Sequence, residues 1–152
     1  MTATDYNPHM LRKAEKRARD ADAAVDLRRA DVQALPFETD QFANAVAGLV
    51  FCSVDDPERG LRELARVTRP GGQVRLLEHV GAAPGRTRRL QSRLTPIWRR
   101  IGDGCHLDRD TAAAVGAAGL EVEEVIPVAG VPRLFPMRLI FARSPRANAG
   151  EG

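Results

Sequence analysis

Two apolar runs separated by one capped helix constrain this chain more than any other feature. Phe42 to Val50 is nearly continuous apolar, with Asn44 its one polar side chain. A run of that length and composition suits a strand buried on both faces of a parallel sheet. Asp56-Pro57-Glu58 then opens a helix. The aspartate accepts from free amides of the first turn, the proline suits its first position, and the glutamate meets its positive end. Leu61, Leu64 and Ala65 share one face, and Arg66 and Arg69 lie toward the negative end. Pro70-Gly71 stops the helix, and Gln73 to Val80 is the next strand. Two such strands joined by a helix run parallel, through a right-handed crossover.

The flanks continue the alternation. Thr2 to Tyr6 reads as a strand, and Asn7-Pro8 starts a helix with Met10, Leu11, Ala14, Ala18 and Ala21 on one face. Arg12, Lys13, Lys16, Arg17 and Arg19 cover the other face, as on a solvated helix. Val25 to Arg29 is a strand ending at Asp31, and Gln33 to Gln41 is a loop or short helix. Beyond Val80, Gly81 to Arg89 reads as a flexible basic connector. Leu90, Leu94, Ile97, Trp98 and Ile101 form an amphipathic stretch interrupted by Pro96. Asp110 caps a helix from Ala112 to Ala118 that Gly119 ends. Leu120 to Val128 and Met137 to Ala142 are two closing strands joined by a loop. The expected fold is therefore α/β, a mostly parallel sheet with an antiparallel last strand. It forms one domain over residues 1–143, with a small polar tail at 144–152 expected to be disordered.

A net charge of +3 marks a nucleic-acid partner only if the arginines of two separate helices share one face, which the spacing does not show, so nucleic acid is not an expected partner. Two cysteines far apart, Cys52 and Cys105, fit a reducing compartment better than a disulfide scaffold. Met1 to Asp5 has no signal-peptide pattern, and no uncharged apolar stretch is long enough to span a bilayer. The expected location is cytoplasmic.

The block Asp31-Val32-Gln33-Ala34-Leu35-Pro36-Phe37, the apolar strand after it, the capped helix and Arg69-Pro70-Gly71-Gly72 resemble the class I S-adenosylmethionine-dependent methyltransferases, which have a Rossmann-like fold. The resemblance runs over roughly residues 2–142 and is strongest from Asp31 to Val80. Within the class, Cys52-Ser53-Val54-Asp55-Asp56-Pro57, Leu77-Glu78-His79-Val80 and Gly104-Cys105-His106-Leu107-Asp108-Arg109-Asp110 look most like the menaquinone/ubiquinone-type and thiol methyltransferase-like branch. The resemblance implies S-adenosylmethionine as cofactor and a small, apolar methyl acceptor such as a quinone-like ring, a lipid or a thiol. It implies that Asp5 binds the ribose hydroxyls and that Tyr6 packs on adenine. It places Asp31 on the adenine amino group, the Val32 amide on a ring nitrogen, and Val50, Phe51 and Cys52 along the methyl-donor pocket. Arg69-Pro70-Gly71-Gly72 is a structural turn in that family. Its members begin with a strand and a glycine-rich loop that cradles the methionine part of the cofactor, whereas the first glycine here is Gly48. The resemblance thus implies an N-terminally incomplete, impaired enzyme. The strand it lacks is central in the family sheet, so two interior edges would be open to self-association. The alternative is a non-catalytic remnant, or a subunit that completes its sheet with a partner chain.

His79 ends a strand at the edge where open α/β sheets bind ligands. It is a candidate general base or substrate contact, or equally a hydrogen-bonded structural histidine. Cys52, His79 and Cys105-His106 have no metal-ligand spacing in the sequence, and no metal is expected. The basic amphipathic segment Arg86 to Arg100 admits three readings. It is a lid over an apolar acceptor through Leu94, Ile97 and Trp98, a peripheral contact with an anionic membrane, or a cationic surface helix packed on the core.

Overall fold

The computed structural model describes residues 1–146. Ten elements follow in order: β1 (Thr2–Asp5), α1 (Pro8–Asp20), β2 (Asp26–Arg29), β3 (Phe42–Gly48), α2 (Pro57–Val67), β4 (Thr68–His79), α3 (Arg86–Ile101), α4 (Thr111–Ala117), β5 (Glu121–Pro127) and β6 (Met137–Arg143). The caps form as their side chains dictate. Asn7 accepts from the His9 amide, Asp56 from Arg59 and Asp110 from Ala113.

The strands make two sheets. β1 and β2 pair in parallel, and a four-stranded sheet has the order β3-β4-β6-β5. In it β3 and β4 are parallel, while β6 lies antiparallel to both β4 and β5. The sheet is therefore mixed, with the antiparallel last strand inserted inside it. Between the Phe42–Thr68 and Asn44–Gln73 pairs the β3–β4 ladder shifts, and β4 carries the excess residues there. Gly71 turns this bulge with φ +76°, and a Cβ on Gly72 would collide with the Ala43 carbonyl. The Arg69-Pro70-Gly71-Gly72 motif thus sits inside the strand ladder, where only glycine allows the approach. α2 has already ended at Val67, with Thr68 Oγ1 donating to the Leu64 carbonyl.

One face of the larger sheet holds the core. Val74 and Leu76 of β4 and Ile140 and Ala142 of β6 meet Leu61 and Leu64 of α2, Val115 of α4, and Phe51. The other face is largely bare. Val46, which pairs with Arg75 on that side, is 79% exposed, and Leu139 and Ile126 are also exposed. β3 is thus not buried on both faces, as its composition suggests. Among the described residues, no strand pairs with its far edge. The small sheet carries α1, whose Leu11, Ala14 and Ala18 are half-buried while Met10 and Ala21 are exposed.

Three further expectations change. The segment Gly81 to Arg89 is not connector throughout, because α3 begins at Arg86. α3 also runs through Pro96, which is exposed along with Ser92, so solvent can take the carbonyl left free by the missing N–H. Ser144 is no tail residue: it is buried, its amide donates to the Gly72 carbonyl and its hydroxyl to Thr68 O. The rest of the expected tail, 147–152, lies outside the described residues.

Candidate functional site

The carboxyl ends of the parallel strands gather most of the residues singled out in the sequence. Asp5 closes β1, and Asp31 follows the end of β2 beside it. Each carboxylate folds the chain after it: Asp5 Oδ1 accepts from the Asn7 amide at 2.8 Å, and Asp31 Oδ1 from the Gln33 amide at 2.9 Å. Asp31 also takes the Gln33 side-chain amide. These turns hold two acidic groups at one sheet edge, Asp5 with its second oxygen unused and Asp31 with lone pairs left beyond its Gln33 bonds. Tyr6 is 66% exposed, and the Arg29 guanidinium lies 5.3 Å from its ring centroid. The Val32 side chain is half-buried and rests against the space above Gly60 on α2, where an added Cβ would meet it at 3.1 Å.

The loop after β3 is clamped from two directions. Glu78, fully buried near the end of β4, accepts from the amides of Val50 (2.9 Å), Phe51 (3.0 Å) and Cys52 (3.1 Å). Burial pushes the Glu78 carboxyl above its ordinary pKa, and these three amides pull against that. From the other side Arg109 Nη1 donates to the carbonyls of Phe51 (2.8 Å) and Val54 (2.6 Å). The His106 amide donates to Cys52 O at 2.7 Å. Phe51 is 0% exposed, and both its backbone groups are engaged. It is a core residue rather than a pocket wall, because the clamp turns its ring under α2. Val50 is half-buried.

His79 ends β4, with its Nδ1 3.6 Å from Cys105 Sγ. Cys52, His79 and Cys105 place their donor atoms within 4.8 Å of one another, and both thiols are buried. The proximity of the two thiols separates their acidities: Cys52 lowers the Cys105 thiol to about 7, and Cys105 together with burial pushes the Cys52 thiol up. His79 is raised, first by its contact with Cys52. Sequence separation, which argues against any joint role for these residues, is cancelled by the fold. β3 and β4 are neighbours, so residues after their ends meet, and the turn beyond α3 delivers Cys105.

α3 is held by loops. Gln91 accepts from the Ala82 amide and donates to Leu134 O, Thr95 Oγ1 lies 3.0 Å from Asp108 Oδ1, and the Trp98 ring packs on Phe135 at 4.7 Å. Leu94 is half-buried beside this packed face. The five apolar positions expected to act together are divided. Trp98 points inward, whereas Leu90, Ile97 (64% exposed) and Ile101 (75% exposed) form a surface stripe among arginines. Helical geometry is the cause, since residues 97 and 98 project about 100° apart. Among the described residues, no helix is long and apolar enough to cross a membrane.

Glu78 and Arg109 were missed as site-forming residues in the sequence. A carboxylate inside an apolar strand beside His79 is the signal for the first, and nothing local marks the second.

Comparison with known proteins bears on the family and the fold. The family model described as a methyltransferase domain matches residues 1–76. A thiol S-methyltransferase (TMT1B) from Rattus norvegicus is 48% identical over 67 residues, covering 43% of this chain and 28% of that protein. A phosphatidylethanolamine N-methyltransferase from Cereibacter sphaeroides is 28% identical over 130 residues, covering 84% of this chain and 63% of the relative. The chain thus spans less than two thirds of these relatives' length. Among solved structures, the [4+2]-cyclase SpnF superposes with a TM-score of 0.77 at 19% identity, covering 96% of this chain and 66% of that one. This last likeness concerns the fold alone. With the family model spanning half of its residues, the chain belongs to the methyltransferase-domain family.

Proposed function

We propose that this chain serves S-adenosylmethionine-dependent methyl transfer to a small apolar acceptor, with thiols the first class to test. The observation that carries the reading is the alignment of Asp5, Asp31 and the clamped 50–52 loop at the carboxyl ends of parallel strands. The residues present fit the nucleoside half of the cofactor. Asp5 and Asp31 each keep carboxylate capacity beyond their turn bonds, which suits the ribose hydroxyls and the adenine amino group, and the exposed Tyr6 ring is free to stack. When bound, the cofactor supplies a methyl group on a positively charged sulfur. The chain's part is then to orient the acceptor and exclude water, which demands little acid–base help. Val50 and the Cys52 loop form the donor side, and α3 with Leu94 and Trp98 covers the acceptor side. The thiol preference rests on the likeness to the thiol S-methyltransferase from Rattus norvegicus.

A second reading is favoured by the open edges of β1 and β3: the sheet is completed by a strand of another polypeptide, and cofactor binding requires it. Calorimetric titration with S-adenosylmethionine tests both. Asp31→Ala is expected to weaken binding by about 1–3 kcal/mol, and Asp5→Ala by at least as much. Unchanged affinity in both variants excludes the nucleoside assignment. Binding that appears only when a strand is supplied in trans selects the second reading.

A further inference from the structure

The geometry points to a metal site for a zinc-class ion, built from Cys52 Sγ, His79 Nδ1 and Cys105 Sγ. Zinc holds sulfur at about 2.3 Å and nitrogen at about 2.0–2.1 Å in a tetrahedron, which sets a sulfur and a nitrogen ligand about 3.6 Å apart. Cys105 Sγ and His79 Nδ1 stand at 3.6 Å, and all three donor atoms lie within 4.8 Å of one another. Two sulfurs and one imidazole are a soft donor set. It suits zinc and not calcium or magnesium, which take oxygen.

The ligands are held before any ion arrives. The Cys52 peptide is fixed on both sides, its N–H by Glu78 and its carbonyl by the His106 amide. The Cys105 amide donates to Gly102 O, and Gly104 (φ +83°) turns the chain so that the thiol enters the interior. Two donors stand ready for the sulfurs. The Trp98 indole N–H is buried without a hydrogen-bond partner and close enough to Cys105 to lower its thiol, and Ser53 Oγ is 3.6 Å from Cys52 Sγ. Such outer contacts orient and stabilise metal-bound thiolates. Charge also closes: the divalent ion displaces the remaining thiol protons to solvent, leaving two thiolates and one dication. Three protein donors leave a fourth position for a non-protein ligand, as in catalytic zinc sites. The ion would tie together the exit of β3, the end of β4 and the turn after α3, and it does not require the cofactor to be bound.

The competing account is a thiol–imidazole hydrogen-bond cluster without metal. Cobalt(II) added anaerobically to the reduced chain separates the two. The expected result is a sulfur-to-cobalt charge-transfer band with tetrahedral visible bands, complete at one equivalent and reversed by zinc, with protons released as zinc enters. Cys52→Ser and Cys105→Ser should each raise the zinc Kd more than about a hundredfold, beyond the loss usual for an outer contact. The wild-type readouts stand even if a variant folds poorly. A reduced wild-type chain with native circular dichroism that shows no charge-transfer band, and whose thiols react freely in the presence of zinc, overturns the proposal. So does a band that survives in a folded Cys52→Ser/Cys105→Ser double variant.

Discussion

Glu78 shows how one side chain organises the region where chemistry is expected. Its two oxygens serve three consecutive amides that the loop after β3 leaves without sheet partners. A buried amide without an acceptor costs about 1–3 kcal/mol. Glu78→Ala should therefore lower stability by about 3 kcal/mol or more, read as a shift in the urea midpoint. Glu78→Gln should cost less, because its carbonyl oxygen still serves Val50 and Phe51. A Glu78→Ala chain within about 0.5 kcal/mol of wild type would mean that the loop is held by Arg109 alone. The carboxylates nearer the ligand edge behave differently. Asp5 and Asp31 are half-buried at turns, and their substitution is expected to register more in binding than in folding.

Among the elements, α2 is tied to the loop that leads from one sheet to the other. Glu63 and Arg66, one turn apart, form an ion pair at 2.7 Å, and both reach the loop between β2 and β3. The Leu35 amide donates to Glu63, and Arg66 donates to the carbonyls of Phe37 and Leu35. The Arg66 hydrogen bond holds the Glu63 carboxyl below its ordinary pKa. A carboxyl lowered in the folded state contributes stability above its unfolded pKa, near 4.3, and loses it as pH falls through the lower folded value. Acid unfolding should show that loss, and Glu63→Gln should abolish its contribution. Partial exposure limits the contribution to about 1 kcal/mol. An identical stability–pH curve for wild type and variant would remove the pair from the account. α3 supports a different measurement. Trp98→Ala is expected to raise the acceptor KM more than the cofactor Kd, because its loop-held helix lies beyond β4. A fall in cofactor affinity with acceptor kinetics unchanged would end the lid assignment.

At the scale of the molecule, the separation of the two sheets governs behaviour. Among the described residues β1 and β3 each have a free edge, and the bare face of the larger sheet carries Val46 on β3 with Leu139 and Ile126 farther across. An unpaired strand edge next to exposed apolar side chains is a template for another strand. Self-association is therefore expected to rise with concentration in sedimentation velocity runs. Val46→Lys should reduce it while changing the melting temperature little, since Val46 is 79% exposed. Equal self-association in both proteins would move the contact elsewhere.

The legible part of this chain was its local structure. Apolar runs, Asn7, Asp56 and Asp110 as caps, and Gly119 after α4 specify elements through interactions a few residues long, so their order and the antiparallel final strand could be read directly. Asp5 and Asp31 were legible for the same reason, as residues that follow strands. Exposure was not. The Phe42–Gly48 strand carries the composition of a doubly buried one, yet whether anything covers it depends on distant segments. The direction of Trp98, the core position of Phe51 and the arginine clamp from residue 109 likewise depend on how loops cross. The meeting of Cys52, His79 and Cys105 is the clearest case. Parallel pairing of β3 with β4 joins the first two, and the turn after α3 supplies the third. Proximity among residues so far apart along the chain is a property of the closed fold and has no local signal.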